Sequence, residues 1–200
     1  MRRTFSILAL LVLTGCQGYK IENGKCIYFY NEEGSRVVRA MNGADQNSFV
    51  PITKVYAKDG KNVYWEGDVV QGADPKTFAP LSWEYGRDKL KVFWHIQEIE
   101  GADPDSFKII RDYWARDKVA YYNIRYSLVD NYVSKKMVKL DCDYSTLTIL
   151  NLSYAIDKNR AYYTGSPIDG VDVKTFQLTS SLTAKDKYHR YRGQRVLPLK

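Results

Sequence analysis

Five aspartates recur along the chain: Asp59, Asp88, Asp117, Asp157 and Asp186, separated by 29, 29, 40 and 29 residues. A carboxylate can serve acid–base catalysis, ligate calcium or fasten a turn by local hydrogen bonds. An active site is needed once, so a carboxylate in every copy favours the turn, with calcium the lesser reading. Other reactive groups are scarce, with two histidines and three cysteines in 200 residues. There is no Gly-x-Ser-x-Gly, Gly-x4-Gly-Lys or His-Glu-x-x-His. His95 and His189 stand where other copies hold ordinary strand or turn residues, which assigns them structural or surface roles. Asp68, Glu84 and Glu98 are the carboxylates that could act on a glycan, provided two of them lay roughly 5 to 9.5 Å apart in an aromatic cleft. Trp65, Trp94, Tyr122 and Tyr163 are read as matching positions. Such a ladder is first a core, and second a platform for sugar rings or a protein partner.

The elements that must position these residues follow from a second marker. Gly-Ala-Asp occurs at Gly43–Asp45, Gly72–Asp74 and Gly101–Asp103, with worn copies at Asp141-Cys142-Asp143 and Gly170-Val171-Asp172. Four residues beyond each aspartate stand Phe49, Phe78, Phe107, Leu147 and Phe176, in the same steps of 29, 29, 40 and 29. The alignment removes Asp141-Cys142-Asp143 from the list of metal-site candidates. Two markers in phase define five repeats with a shortened sixth at the C-terminus. Each copy reads as a strand, a turn opened by aspartate, a β-prone return such as Val63-Tyr64-Trp65, and a short third strand. Asp74 and Asp103 are placed to cap a brief helical turn with Pro75 and Pro104 at its first position, and the cap should weaken where proline is missing. Ala57, Gly86, Ala115, Ala155 and Ala184 are small in every copy, suggesting close approach of a neighbouring backbone. Insertions fall in the first copy (30–38) and the fourth (126–137). The segment 125–139, with Lys135 and Lys136, is the expected contact loop.

Met1-Arg2-Arg3, an apolar run over 5–13 and Leu13-Thr14-Gly15-Cys16 make a secretory signal too short to span a bilayer. Leu-Thr-Gly-Cys resembles the lipobox of bacterial lipoproteins, which makes Cys16 the lipidated first residue of the mature chain. Gln17 in place of aspartate then implies sorting to the outer membrane. The net charge of +7 is local: Lys185, Lys187, Arg190, Arg192, Arg195 and Lys200 face only Asp186 in the last stretch, and 16–184 is neutral. That distribution argues against nucleic acid. The tail reads as a solvated end-cap, ahead of a contact with anionic lipid headgroups. With Cys16 acylated, Cys26 and Cys142 remain, a pair that could bond in an oxidising compartment only if the first and fourth copies touch.

Lys58-Asp59-Gly60-Lys61-Asn62-Val63-Tyr64, 72–78 and Asp157-Lys158-Asn159-Arg160-Ala161-Tyr162-Tyr163 resemble the DKNYY repeat family of bacterial exported proteins and lipoproteins. The resemblance covers about Lys20 to Arg195. It implies architecture and location, and brings no catalytic residues with it.

The expected protein has a signal peptide (1–15), a lipidated N-terminus and linker (16–23) and one repeat domain (24–200). Its fold is mainly β, an array of roughly 29-residue units of short antiparallel strands plus a helical turn. An open superhelical stack is favoured over a closed, propeller-like ring. The expected function is non-catalytic binding or scaffolding at the cell envelope, contacting protein or polysaccharide, with no cofactor or metal. The alternative is an envelope glycan-acting enzyme.

Overall fold

The computed structural model describes residues 17–129 and 132–198. Among the described residues the protein is mainly β, built from six separate antiparallel sheets with no closed barrel. Sheet I holds β1 (Gly18–Glu22), β2 (Lys25–Glu32) and β3 (Ser35–Ala40). Sheet II holds β4 (Val50–Pro51), β5 (Tyr56–Lys58), β6 (Val63–Trp65) and β7 (Asp68–Val69). Sheet III holds β8 (Ala79–Pro80), β9 (Tyr85–Arg87), β10 (Val92–Trp94) and β11 (Gln97–Glu98). Sheet IV holds β12 (Lys108–Arg111), β13 (Trp114–Arg116), β14 (Tyr121–Val129) and β15 (Tyr132–Lys139). Sheet V holds β16 (Thr148–Ile149), β17 (Tyr154–Ile156), β18 (Ala161–Tyr163) and β19 (Ser166–Ile168). Sheet VI holds β20 (Gln177–Leu178), β21 (Thr183–Lys185), β22 (His189–Arg192) and β23 (Arg195–Pro198). The chain divides into two compact units, the first carrying sheets I and II and the second sheets III to VI.

A unit of 29 residues accommodates four strands because most are only two or three residues long. The sequence reading found three of them. The fourth is the two-residue strand after the repeated Phe, too short to show a period. Cut at the sheet boundaries, the incomplete sheet is the first, and Tyr188 to Pro198 complete sheet VI. The Gly-Ala-Asp-Pro segments are turns, and a 3-10 turn is found at Val173–Thr175, in a copy without proline and without a side-chain cap. At Pro75 and Pro104 the segment is a single turn, short of a regular helix, and the expected cap is present: Asp74 Oδ1 accepts the Lys76 N–H at 3.0 Å and Asp103 Oδ1 that of Asp105 at 3.2 Å, while the Ser106 N–H closes on the Asp103 carbonyl at 3.3 Å.

The insertions share one solution. Both lengthen the hairpin between the last two strands of a sheet: β2–β3 runs from Ile27↔Ala40 to Glu32↔Ser35, and β14–β15 from Tyr122↔Lys139 to Val129↔Tyr132. The corresponding short hairpins close on two residues. Glu66-Gly67 (φ 49° and 89°) and Thr164-Gly165 (φ 43° and 71°) both take left-handed pairs, the geometry that matches strand twist. Glycine at the second position is also dictated by contact. A Cβ on Gly67 would lie 3.0 Å from Tyr28 Cβ, and one on Gly165 3.0 Å from Val138 Cγ2 and 3.2 Å from the Ile124 carbonyl.

Within each unit the core lies between successive sheets. Tyr19, Tyr28, Met41, Phe49 and Tyr64 fill the space between sheets I and II. Tyr85, Val92, Ala115, Tyr122 and Met137 fill that between III and IV. Trp114, Ala155 and Tyr162 join IV to V, and Tyr154, Ala161, Phe176 and Tyr191 join V to VI. The repeated Phe is a wedge. Phe107 lies 6.0 Å from Tyr85 and 5.9 Å from Tyr122, and Phe176 lies 6.1 Å from Tyr154 and 5.7 Å from Tyr191, centroid to centroid. The small residue makes room for that ring and not for a backbone: a Cβ on Gly86 would stand 2.3 Å from Phe78 Cζ.

Candidate functional site

The turn aspartates are all buried, between 2% and 5% exposed. The local sequence explains their position: each heads a four-residue turn, and its Oδ1 accepts the N–H groups two and three residues on. Asp157 takes Asn159 and Arg160 at 2.7 Å each, and Asp117 takes Val119 and Ala120 at 2.8 Å each. Oδ2 is filled from two other directions. The hydroxyl of the tyrosine five residues on donates to it: Tyr64 to Asp59 at 2.6 Å, Tyr122 to Asp117 at 2.8 Å, Tyr162 to Asp157 at 2.7 Å and Tyr191 to Asp186 at 2.6 Å. The N–H of the Gly-Ala-Asp aspartate donates as well, Asp45 to Asp59 at 3.0 Å, Asp143 to Asp157 at 2.7 Å and Asp172 to Asp186 at 2.8 Å. In sheet III the residue five beyond Asp88 is Phe93, which brings no hydroxyl. At Asp59, Asp117, Asp157 and Asp186, four donors on one carboxylate leave no lone pair directed at a metal or substrate. This is a latch between hairpin and incoming loop.

A second layer holds the loop aspartate. The Ser or Thr three residues beyond it donates back, Ser48 to Asp45 at 2.6 Å, Ser106 to Asp103 at 2.7 Å and Thr175 to Asp172 at 3.0 Å. The same hydroxyl accepts the N–H that follows the turn aspartate, from Lys118 at 3.1 Å or Lys158 at 3.2 Å. Lys118 and Lys158 then reach Asp103 and Asp143 at 2.7 and 2.6 Å. Burial alone would raise the carboxyls of Asp59, Asp117, Asp157 and Asp186, yet the tyrosine hydroxyl and backbone N–H donors outweigh it and hold them below the usual range, Asp186 at about 2. The partner hydroxyls move the other way. Burial and then the adjacent carboxylate push Tyr64 up to about 12.

This tyrosine is what the sequence reading missed, although its spacing of five was legible. It corrects the ladder. Trp65, Trp94 and Tyr163 pair with Tyr56, Tyr85 and Tyr154, but the residue opposite Trp114 is Asn123, and Tyr122 pairs with Ala115. Tyr122 therefore belongs with the latch tyrosines. Trp94 is 3% exposed and stacks on His95 at 4.1 Å. Trp65 and Tyr163 are half-buried, and Tyr163 lies 4.8 Å from Tyr154. Lys135 and Lys136 are exposed on β15; the Lys135 ammonium lies 5.8 Å from the Tyr126 ring and Lys136 is 3.8 Å from Glu100.

Of the carboxylates considered for acid–base work, Asp68 of sheet II meets Arg39 of sheet I at 2.7 Å, and Glu98 of sheet III meets Lys91 at 2.6 Å. Glu84 lies 3.5 Å from His95 Nε2. Burial, then Asp112, raises the Glu84 carboxyl, while burial, then Lys135, lowers His95 to about 4, so this is a contact of a neutral imidazole at neutral pH. His95 occupies the turn position held elsewhere by Glu66 and Thr164, with φ 54°. His189 lies beside a latch, 3.9 Å from Asp186. Cys26 and Cys142 are free thiols, and the bond the sequence allowed is not formed. Cys26 is buried among Tyr19, Tyr28 and Met41, while Cys142 packs against the cluster of Trp114, Leu140 and Ala155. Burial and then Asp157 push the Cys142 thiol up to about 11, making it a poor nucleophile at neutral pH. Cys142 borders a shallow depression of about 350 Å³ whose lining includes Val119, Lys139 and Asp141. Among the described residues, no three His, Cys, Asp or Glu side chains gather in a metal-binding arrangement. Cys16 and the signal segment lie outside the described residues.

The sequence model of the DKNYY family matches the chain over residues 15–95 and 70–195. No curated protein matches it, and no solved structure does.

Proposed function

We propose, from the premise that the chain belongs to the DKNYY family, that it is a lipid-anchored, non-catalytic binding or scaffold protein of the bacterial envelope. Cys16 carries the lipid, and the outer membrane is its destination. The repeated carboxylates and tyrosines hold the array together, so contact with a protein or polysaccharide falls to what departs from the repeat. The observation that carries this reading is the β14–β15 hairpin, whose outer half presents Tyr126 (44% exposed) and Val133 (62% exposed) beside exposed Arg125, Lys135 and Lys136. Arg125 also donates to the Gly165 carbonyl at 2.8 Å, which braces the base of the hairpin against sheet V. A rigid, braced projection with mixed aromatic and cationic chemistry suits a contact surface.

The test is photocrosslinking in the native cell from position 126 or 133, with position 182 as an exposed control. Adducts specific to the hairpin, abolished by Lys135→Glu with Lys136→Glu, are expected. Adducts of equal yield from position 182 would refute the assignment. Release of Cys16→Ser from the membrane fraction is the corresponding expectation for the anchor.

A further inference from the structure

The outward face of sheet VI departs from the repeat in a directed way. In β21 and β22, Ala184 and Tyr191 point to sheet V and are each 1% exposed. Alternation puts Thr183, Lys185, Arg190 and Arg192 on the opposite face. The register pairs Lys185 with Arg190 and Arg192 with Arg195, so four cations share that face, all exposed. In sheet V the residues equivalent to Thr183, Lys185, Arg190 and Arg192 are Tyr154, Ile156, Ala161 and Tyr163, and in sheet III they are Tyr85, Arg87, Val92 and Trp94.

We propose that this face docks on the phosphate groups of an anionic lipid bilayer. The inference rests on the membrane-anchored reading above. An end-cap needs polarity, and Thr183 and Gln177 already supply uncharged polar groups there. Two like-charged pairs directly opposite one another are instead destabilising. Among the described residues, none of Lys185, Arg190, Arg192 and Arg195 has an ion pair or side-chain hydrogen bond. Lys91, Lys118, Lys158 and Arg160 each meet a carboxylate at 2.6 to 2.8 Å. The uncompensated charge therefore awaits an external anion. Three of the four cations are arginine, whose planar fork fits phosphate oxygens two at a time. The sheet register presents them side by side to an array of headgroups, and a polybasic patch supplements an acyl anchor.

The experiment measures sedimentation of the mature chain (16–200) carrying Cys16→Ser, so that neither an acyl group nor the apolar signal segment contributes, with phosphatidylcholine vesicles with and without phosphatidylglycerol. Binding that requires phosphatidylglycerol and falls as salt rises is expected. Arg190→Gln with Arg192→Gln should weaken it about 30-fold, at roughly 1 kcal/mol per cation near an anionic surface. The Lys135→Gln, Lys136→Gln chain should bind like the parent. If the arginine variant melts early, Lys185→Gln with Arg195→Gln tests the same face. Equal binding to both vesicle types, or undiminished binding by a folded variant, overturns the proposal. Binding of inorganic phosphate or polyphosphate without vesicle binding overturns the lipid assignment. Hairpin crosslinking is read separately, so failure here leaves the scaffold reading standing.

Discussion

Sheets V and VI have the same four-stranded topology and the same buried latch, yet opposite outward faces. On sheet V, Tyr154 is fully buried, Ala161 lies beside it, and the Tyr154 hydroxyl donates to the Leu182 carbonyl at 3.0 Å and accepts the Gly193 N–H at 2.9 Å. On sheet VI the matching positions are Thr183, half-buried with its hydroxyl 2.7 Å from those of Thr179 and Ser180, and Arg190, which is exposed. The backbone module is indifferent to its place in the array. Side chains on one face decide whether a neighbour stacks there, because burying an arginine without a partner costs more than the contact returns.

That contrast can be strained from the interior outward. Tyr154→Ala removes a fully buried ring and its hydroxyl, and should cost about 3–5 kcal/mol in urea denaturation. Thr183→Ala at the matching position should stay within about 0.5 kcal/mol. Equal losses would mean that the two faces are equivalent after all. The latch, in contrast, should behave alike in both sheets. Tyr162→Phe and Tyr191→Phe should each cost about 1.5–3 kcal/mol, the range for a hydrogen bond to a charged group, and reproduce what Phe93 does naturally in sheet III. The latch also sets acid sensitivity. Asp186 titrates at about 2 in the fold against 3.8 ordinarily. Its contribution is therefore complete above the unfolded pKa and is lost as pH falls from about 4 towards 2. Unfolding midpoints measured through that window should drop, and Asp186→Asn should flatten the drop. Smallest in folding free energy, Arg190→Ala with Arg192→Tyr should move stability by no more than about 0.5 kcal/mol. It makes the end resemble sheet V, so light scattering should report concentration-dependent self-association.

Much of this was legible in the chain. Spacing of the aspartates and phenylalanines located sheets II to VI. The latch tyrosine was equally available: Tyr64, Tyr122, Tyr162 and Tyr191 stand five residues after their aspartates. It was hidden by aligning Tyr122 with Trp65 and Trp94, a slip of one residue that in a strand exchanges one face for the other. The two-residue strands left no period to detect. The small residue opposite the latch tyrosine was noticed, but whether a backbone or a Phe ring filled the space above it depended on packing between segments.

By itself the sequence determined a repeated β module and its spacing, since those depend on local turn chemistry and on residues recurring along one dimension, while the fourth strand and the place of the incomplete sheet were set by pairing. Tertiary structure decided which carboxylates are saturated, which aromatics are covered and which cations are left without a partner. Those outcomes depend on donors arriving from loops 14 residues away, as the Asp143 N–H reaches Asp157, and on which face of a sheet meets its neighbour.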